Sequence, residues 1–331
     1  MFAPAAPAPC SPAHVNPEFA EAVRNGLTRK GRKTIPPSWL YDEVGSALFE
    51  VITLLPEYGV TRAEASLLAN AADEIVRASA RPSRIVELGS GTGTKTRHIL
   101  RAASRLQAIR YTPIDISPAA LRSCAETLGG MENVAIEPVA STYLEGVDLA
   151  TSAREPGRPM LLLFLGSTIG NFTRTEAASF LSRLSRRMQP GDYLLLGADL
   201  VKSRARLLSA YDDPIGVTAA FNLNLLARIN RELDADFDVA RFAHEARYND
   251  RYSRVEMHLR SLAAQQVRIR RLGIAVNFLA GETIWTESSH KFRAEEISRM
   301  GQRGGWTCVR QWVDGEWGFA ETLFRKSSAA K

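Results

Sequence analysis

Residues 84–96, RIVELGSGTGTKT, decide the fold of this chain. An apolar run with β-branched residues leads directly into a turn with glycine at positions 89, 91 and 93. The following TKTRHILRAASRL has the spacing of an amphipathic helix. A buried strand, a glycine-rich turn and a helix in this order predict the first βα unit of an α/β domain.

The same alternation continues downstream. IRYTPIDIS, VAIEPVA, PMLLLFLGSTIGNF and YLLLGADLV are predicted strands, and PAALRSCAETLGG and TRTEAASFLSRLSRRMQPGD are predicted helices between them. Continuous apolar strands alternating with helices are typical of a parallel sheet that is covered on both faces. We therefore predict a doubly wound, Rossmann-like α/β domain.

A second unit interrupts this pattern. Residues 202–245 are predicted to be mostly helical, and SRVEMHLRSLAAQQVRI, LGIAVNFLAG and ETIWTESS are predicted strands. A helix and a hairpin then return from residue 294 onward. We predict a substrate-binding α+β domain over 16–63 and 202–290, inserted into a cofactor-binding domain over 64–201 and 291–328, after a disordered tail over 1–15. Pro56 and Gly59 break the upstream helices, which places Tyr58 in a short connector.

Composition narrows the function classes. The 331-residue chain carries a net charge of +6 and has a pI of about 9.4, but its one dense basic run, RKGRK at 29–33, is most simply a solvated face. No contiguous basic surface with aromatic residues is evident, so we expect no nucleic-acid partner. Neither a signal peptide nor a membrane span is expected, which favours a cytoplasmic protein. Three widely spaced cysteines, Cys10, Cys124 and Cys308, predict neither a disulfide framework nor a metal site.

The glycine turn indicates a cofactor other than a dinucleotide. Its spacing is GxGxG, and Thr94 stands near the point where a dinucleotide fingerprint requires the third glycine. Glu87 precedes it, and E-x-G-x-G-x-G resembles the first motif of class I S-adenosylmethionine (SAM)-dependent methyltransferases. Asp115 ends the second strand, where an acid usually meets ribose hydroxyls. The alternative reading is a βα loop without a ligand, with Asp115 as a turn residue.

Longer strings identify a family. IPPSWLYDEVGSALFEVITLLPEY, VELGSGTGTKT, LFLGSTIGNF, AYDDPIGVTAAFN, RVEMHLRS and WTESSHKF occur in this order. Together they closely resemble the L-histidine Nα-methyltransferases of ergothioneine biosynthesis over residues 16–325. The resemblance implies a class I methyltransferase fold with an inserted domain, SAM as the cofactor and L-histidine as the substrate, which is trimethylated at its α-amino group to hercynine.

The resemblance also assigns the site residues. It places Gly89 and Lys95 on the cofactor and Asp115 on its ribose. It places substrate-binding residues at Tyr58, Asn171, Tyr211, Met257, Glu287 and Ser289, with Tyr41 near the α-amino group as the candidate catalytic residue. The chain departs from the family where an Asp-Phe pair contacts the adenine, because Thr142 and Tyr143 stand there. Tyr143 still offers an aromatic face, but Thr142 offers no carboxylate, so we expect cofactor binding to persist in weaker form.

The stretch TESSHKF, residues 286–292, divides its side chains between two faces of a predicted strand. Residues two apart share a face, so Glu287, Ser289 and Lys291 lie together, opposite Ser288 and His290. Glu287 can accept a ring N–H of histidine, and Ser289 can donate to the bare ring nitrogen. Ser289 and His290 therefore form no nucleophile–base pair, and we assign His290 no role.

Three other functions remain open at this point. A methyltransferase for another amino acid such as tryptophan is expected to carry a small or apolar residue in place of Glu287. A nucleotide-binding regulatory module is expected to lack the amino-acid pocket, and an RNA methyltransferase needs a basic surface. With neither a coiled-coil pattern nor a long apolar stripe, we expect a monomer.

Overall fold

The structure is a computed structural model that describes residues 16–155 and 157–327; the predicted tail at 1–15 lies outside these ranges. Within them the helices are α1 (Pro17–Thr28), α2 (Glu43–Leu54), α3 (Val60–Ala78), α4 (Arg97–Ser104), α5 (Pro118–Leu128), α6 (Tyr143–Ser152), α7 (Arg174–Arg187), α8 (Arg204–Ser209), α9 (Val217–Leu233) and α10 (Ala294–Arg303). The strands are β1 (Lys33–Thr34), β2 (Arg84–Leu88), β3 (Ile109–Asp115), β4 (Val134–Ile136), β5 (Val139–Ala140), β6 (Met160–Phe164), β7 (Tyr193–Asp199), β8 (Phe242–Asn249), β9 (Arg254–Ser261), β10 (Gln265–Ile269), β11 (Ile274–Phe278), β12 (Thr283–His290), β13 (Trp306–Asp314) and β14 (Phe319–Lys326).

The described chain folds into two compact units. The smaller unit comprises the described residues up to Gly45, together with Ala219–Glu245 and Met257–Glu287. The larger unit comprises Ser46–Thr218, Ala246–Glu256 and the described residues from Ser288 onward. The divisions at 45/46, 218/219 and 287/288 differ from the predicted boundaries at 63/64, 201/202 and 290/291. The assignment of substrate binding to one unit and cofactor binding to the other stays a prediction.

The larger unit is built on one sheet in the order β4-β3-β2-β6-β7-β14-β13, with β5 also pairing with β3. The strands from β4 to β7 are parallel, and β14 runs antiparallel to β7 and β13. Numbered along the chain, the parallel strands follow the doubly wound order 3-2-1-4-5. The predicted α/β fold and its C-terminal hairpin are confirmed.

Two apolar layers enclose this sheet. Alternate residues of β6 point to opposite faces: Leu161 and Leu163 pack with one helical layer, and Leu162 and Phe164 pack with the other. Every residue of β6 and β7 is buried. Because each fully buried leucine contributes about 1.5–3 kcal/mol, these two strands are a rigid base for the loops at their carboxyl ends.

The smaller unit contains α1, most of α9 and the β10–β11 hairpin, and carries residues of a four-stranded sheet in the order β1-β12-β9-β8. The predicted strand over 253–269 is wrong as one element, because it is two strands separated at residues 262–264. The helical prediction for 202–245 fails at its end, where β8 begins at Phe242. In the larger unit, the predicted strand VAIEPVA is split into β4 and β5 at Glu137–Pro138, since proline has no N–H to donate.

No helix in the part of the chain that the structure describes combines the length and the apolar character that crossing a membrane requires.

Candidate active site

The glycine turn after β2 has the conformation that its sequence predicts. Gly89, Gly91 and Gly93 all have positive φ angles, of 70°, 51° and 71°. A Cβ atom on Gly93 would come within 2.8 Å of Cys124 Sγ, whereas one on Gly91 would meet nothing within 4 Å. Gly93 therefore serves packing, and Gly91 borders open space at the sheet's topological switch point between β2 and β6, where ligands of such folds bind.

Asp115 lies beside this turn at the end of β3. Its Oδ1 accepts a hydrogen bond from the backbone N–H of Ser117 at 2.9 Å. Burial raises the pKa of Asp115, although backbone N–H groups, including that of Gly91, oppose this effect. A carboxylate held by backbone donors keeps acceptor capacity for a diol, so this side chain and the open turn fit a SAM ribose.

Tyr143 lies on the other side of the turn. Its ring packs edge-on against Phe164 and Phe180, with centroid distances of 5.6 and 6.1 Å. A Cβ atom on Gly89 would lie 3.0 Å from the Tyr143 hydroxyl, so a larger residue at 89 would displace the tyrosine. Burial and the nearby Asp115 charge raise the pKa of Tyr143 to about 12, which keeps the phenol neutral.

Thr142 occupies the N-cap position of α6, where its side chain makes no capping hydrogen bond, and it offers no carboxylate of its own. Its hydroxyl donates to Glu145 Oε2 at 2.7 Å, and Ser141 donates to the same oxygen at 3.5 Å. A carboxylate therefore stands at this end of the helix, three residues after the position where the family carries an aspartate. The sequence reasoning missed Glu145, although its i+3 spacing from a helix N-cap is a recognisable signal.

Lys95 is tied to a buried acid that the sequence reasoning did not identify. Its ammonium forms an ion pair with Glu64, which is fully buried. The other oxygen, Glu64 Oε1, accepts the backbone N–H of Gly166 at 2.5 Å. Burial alone would lower the pKa of Lys95, but the Glu64 carboxylate outweighs it and raises that pKa. Glu64 thus links the glycine turn to the loop after β6.

Glu87 points away from the glycine turn's open side, into the protein. It is 2% exposed and accepts hydrogen bonds from Thr96 Oγ1 at 2.8 and 2.7 Å and from the Tyr111 hydroxyl. Burial raises its pKa to about 7, against the effect of these hydrogen bonds. Glu87 fastens the turn to the first residues leading into α4 and is a structural member of the motif.

The loop after β6 presents Asn171 at the end of a 3₁₀ turn over Thr168–Asn171. The Asn171 amide is half-buried and makes no hydrogen bond to another residue that the structure describes. Ser167, in the left-handed conformation with φ of 57°, accepts the backbone N–H of Asp199 at 2.9 Å. This bond joins the exits of β6 and β7 and fixes the loop that carries Asn171.

Three of the predicted substrate residues come together in the larger unit. Tyr58 and Tyr211 are buried and pack edge to face, with a centroid distance of 6.2 Å. The Tyr211 hydroxyl donates to Ser289 Oγ at 2.7 Å. Lys291, fully buried, donates to both hydroxyls at 2.9 Å, which confirms that Ser289 and Lys291 share one face of β12 and its continuation.

Asp199 at the end of β7 holds this lysine. Its Oδ2 lies 2.8 Å from Lys291 Nζ, while its Oδ1 pairs with Lys202 and accepts the Trp317 indole N–H at 3.1 Å. Burial would raise the pKa of Asp199, but the two ammonium groups lower it. Burial lowers the pKa of Lys202 to about 8. Lys291 and Trp317 lie far from Asp199 in sequence, and the one available signal for them was a polar residue at the carboxyl end of a buried strand.

His290 occupies the opposite face of β12. Its Nδ1 lies 3.2 Å from the carbonyl oxygen of Tyr252. Burial, together with the charges of Arg174 and Arg254, lowers the pKa of His290 to about 4, so the ring is neutral. No hydrogen bond joins it to Ser289, as the strand alternation predicts.

The smaller unit contains Tyr41 in a turn that its neighbours hold firmly. The Tyr41 ring packs edge to face on buried Phe221 at 5.4 Å. The next residue, Asp42, accepts hydrogen bonds from the Gly45 backbone N–H at 2.8 Å and from the Asn224 amide at 2.7 Å. These bonds fix the backbone from which Tyr41 projects.

Met257 and Glu287 belong to neighbouring strands of the smaller unit. Met257 is buried, and its carbonyl oxygen accepts from Thr286 Oγ1 at 3.1 Å. The same hydroxyl donates to Asn222 Oδ1 at 2.7 Å. Thr286 thus fixes β12 through the strand face opposite Glu287, which is half-buried and whose carbonyl oxygen accepts the indole N–H of Trp285 at 2.7 Å.

Comparison with known proteins finds relatives over most of the chain. A histidine N-alpha-methyltransferase from Mycolicibacterium smegmatis is 46% identical over 88% of this chain and 90% of its own length, and one from Mycobacterium tuberculosis is 45% identical over 92% and 94%. Ergothioneine biosynthesis protein 1 of Neurospora crassa is 30% identical over 87% of this chain and 32% of that protein. The model of a SAM-dependent, histidine-specific methyltransferase family matches residues 19–326. The chain therefore belongs to this family.

Proposed function

We propose that this protein is a SAM-dependent Nα-methyltransferase that converts L-histidine, by three successive methylations, to Nα,Nα,Nα-trimethyl-L-histidine (hercynine) in ergothioneine biosynthesis. The observation that carries the proposal is the extended similarity to histidine N-alpha-methyltransferases, which spans about nine-tenths of both chains. The buried group formed by Tyr58, Tyr211 and Ser289 supports it, because it offers aromatic faces and hydroxyls suited to an amino acid.

We assign each candidate residue a role in that reaction. Cofactor binding is proposed for Gly89, Lys95, Asp115, Thr142 and Tyr143, substrate binding for Tyr58, Asn171, Tyr211, Met257, Glu287 and Ser289, and proton transfer for Tyr41. SAM supplies a methyl group on a sulfonium when it is bound. The residues' main task is to place the α-amino nitrogen in line with that methyl, and such positioning is worth several kcal/mol.

Recognition of histidine requires complementary groups at both ends of the molecule. The Asn171 amide can donate to the α-carboxylate and Tyr211 can border the substrate, while Glu287 accepts a ring N–H and Ser289 donates to the bare ring nitrogen. An α-amino group titrates near 8, so part of it is neutral at working pH and Tyr41 needs only to relay a proton. Buried tyrosine faces stabilise the ammonium that grows with each methylation.

We further propose that the protein acts as a monomer in the cytoplasm, without a nucleic-acid or membrane partner. Light scattering coupled to gel filtration measures the oligomeric state, and a mass near the 36.4 kDa of the chain is expected. A mass twice that value would contradict this part of the proposal.

The decisive experiment incubates the protein with SAM and histidine and follows products by mass spectrometry. Mono-, di- and trimethylhistidine are expected in sequence. Glu287→Ala should lower kcat/KM for histidine by about tenfold or more, because a buried ring N–H loses its acceptor. Ser288→Ala, which alters the opposite strand face, is the matched control. Methylation of tryptophan or tyrosine with histidine untouched would refute the substrate assignment.

A further inference from the structure

Lys291 and the hydroxyl groups of Tyr211 and Ser289 form a hydrogen-bond network in which each hydrogen can be assigned. An ammonium has three hydrogens and no acceptor. Lys291 donates two of them, to Tyr211 Oη and to Ser289 Oγ, at 2.9 Å each, and its Nζ also forms an ion pair with Asp199 Oδ2 at 2.8 Å. The ammonium is therefore held between both hydroxyls and the carboxylate.

The count then determines what Ser289 can do. Tyr211 accepts from Lys291 and passes its own hydrogen to Ser289 Oγ at 2.7 Å. Ser289 consequently accepts two hydrogen bonds, which fill both of its lone pairs. Its own O–H hydrogen remains uncommitted among the described residues, so Ser289 can offer a ligand only a donor.

We infer that Lys291 is a positioning residue that fixes Ser289 as a hydrogen-bond donor and thereby selects a substrate ring with an unprotonated nitrogen. The inference rests on the proposed histidine substrate. It goes further in one respect: selectivity for the bare nitrogen depends on a lysine that donates to the Ser289 hydroxyl and is held by the Asp199 carboxylate. Lys291 is fully buried, so water does not compete for its hydrogen bonds to the two hydroxyls.

The anchoring of Lys291 supports this role. Asp199 forms an ion pair with Lys202 and accepts a hydrogen bond from the Trp317 indole N–H, and its backbone N–H donates to Ser167 Oγ. Two donors thus hold Oδ1 of the carboxylate and Ser167 holds the backbone of the same residue, which restrains the carboxylate that pairs with Lys291. Buried charged groups that are fully hydrogen-bonded specify one arrangement and are costly to disturb.

The test compares histidine with the two pyrrolylalanine isomers. Each isomer keeps one ring N–H but has no bare nitrogen, and one of them turns its N–H toward Ser289. In the wild type that N–H faces the Ser289 O–H, which is also a donor. The value of kcat/KM for histidine should therefore exceed that for the more reactive of the two isomers by about tenfold or more. In Lys291→Met, Ser289 regains a free lone pair and can accept the N–H, so this preference should shrink several-fold.

Lys202→Met is the matched control, because it also removes an ammonium from Asp199 but touches neither hydroxyl. It should keep the wild-type preference. In a double-mutant cycle, Ser289→Ala and Lys291→Met should be strongly non-additive in the preference, since both act through one hydroxyl. A role in structure alone would lower kcat/KM for histidine and the isomers by the same factor.

Two safeguards keep the outcome decisive. Binding of S-adenosylhomocysteine, measured by calorimetry, reports whether each variant is folded, and the Asp199→Asn/Lys291→Met pair replaces Lys291→Met if the single variant unfolds. If Lys291→Met keeps the full preference while Ser289→Ala loses it, the inference is wrong. If the wild type leaves histidine unmethylated, the proposed function fails instead, and the two failures are distinguishable.

Discussion

Glu87→Gln should change how the stability of this protein depends on pH. Glu87 is 2% exposed at the end of β2, and burial raises the pKa of its carboxyl from 4.5 to about 7, despite hydrogen bonds from Tyr111 and Thr96. At 1.36 kcal/mol per pH unit, that difference corresponds to about 3 kcal/mol between the protonated and ionised forms.

The sign follows from linkage. The folded state binds the proton of Glu87 more tightly than the unfolded state does. The resulting stabilisation is therefore complete below pH 4.5 and is lost as the pH rises to about 7. Glutamine carries no charge at any of these pH values. The free energy of unfolding of Glu87→Gln, relative to wild type, should thus rise by about 3 kcal/mol between pH 4.5 and pH 8.

Urea denaturation followed by tryptophan fluorescence measures this difference at each pH. The amide also replaces an oxygen that accepts from Tyr111, which adds an offset that does not vary with pH, so only the slope counts. Glu132→Gln, at an exposed acid, is the control and should follow the wild type. Parallel stability curves for Glu87→Gln and wild type across this range would refute the reasoning.

Two further predictions concern other parts of the site. Burial and the charge of Arg174 lower the pKa of His290 from 6.5 to about 4, so the stabilisation from the neutral ring is present above pH 6.5 and is lost as the pH falls. Between pH 7 and pH 5, the free energy of unfolding of His290→Gln should therefore fall by about 2 kcal/mol less than that of the wild type, as measured by urea titration. Glu145→Ala should raise the Kd for S-adenosylhomocysteine a few-fold in calorimetry, because the N-terminus of α6 loses its carboxylate; an unchanged Kd would exclude Glu145 from the cofactor site.

Local patterns in the sequence predict much of this fold. The apolar runs of β2, β6 and β7 and the positive-φ glycines of the turn are specified within a few neighbouring residues. The same holds for α7, whose capping box pairs Thr173 with Glu176. The alternation of β12 likewise separates Ser289 from His290 without knowledge of the tertiary structure. Such features depend on short-range geometry, which the sequence displays directly.

The missed features depend on partners that are distant along the chain. Lys291 reaches Tyr211 across 80 positions, and Glu64 reaches Gly166 across 102. A glutamate in the middle of a helix gives no sign that it will be fully buried, since that depends on which loop packs over it. The split of VAIEPVA at Pro138 was accessible from the missing N–H, but the strand pattern on both sides concealed it.

Buried and half-buried acids hold the carboxyl ends of several strands of the larger sheet. Glu87 holds the turn after β2, Asp115 ends β3 against its own loop, and Asp199 ends β7 beneath two ammonium groups. Glu64 ties the glycine turn to the loop after β6. Methyl transfer depends mainly on placement, and a misplacement of about 1 Å can cost a hundredfold in rate. Acids are costly to bury in any form, so their presence at these strand ends indicates that fixed loop geometry is maintained there at some cost in stability.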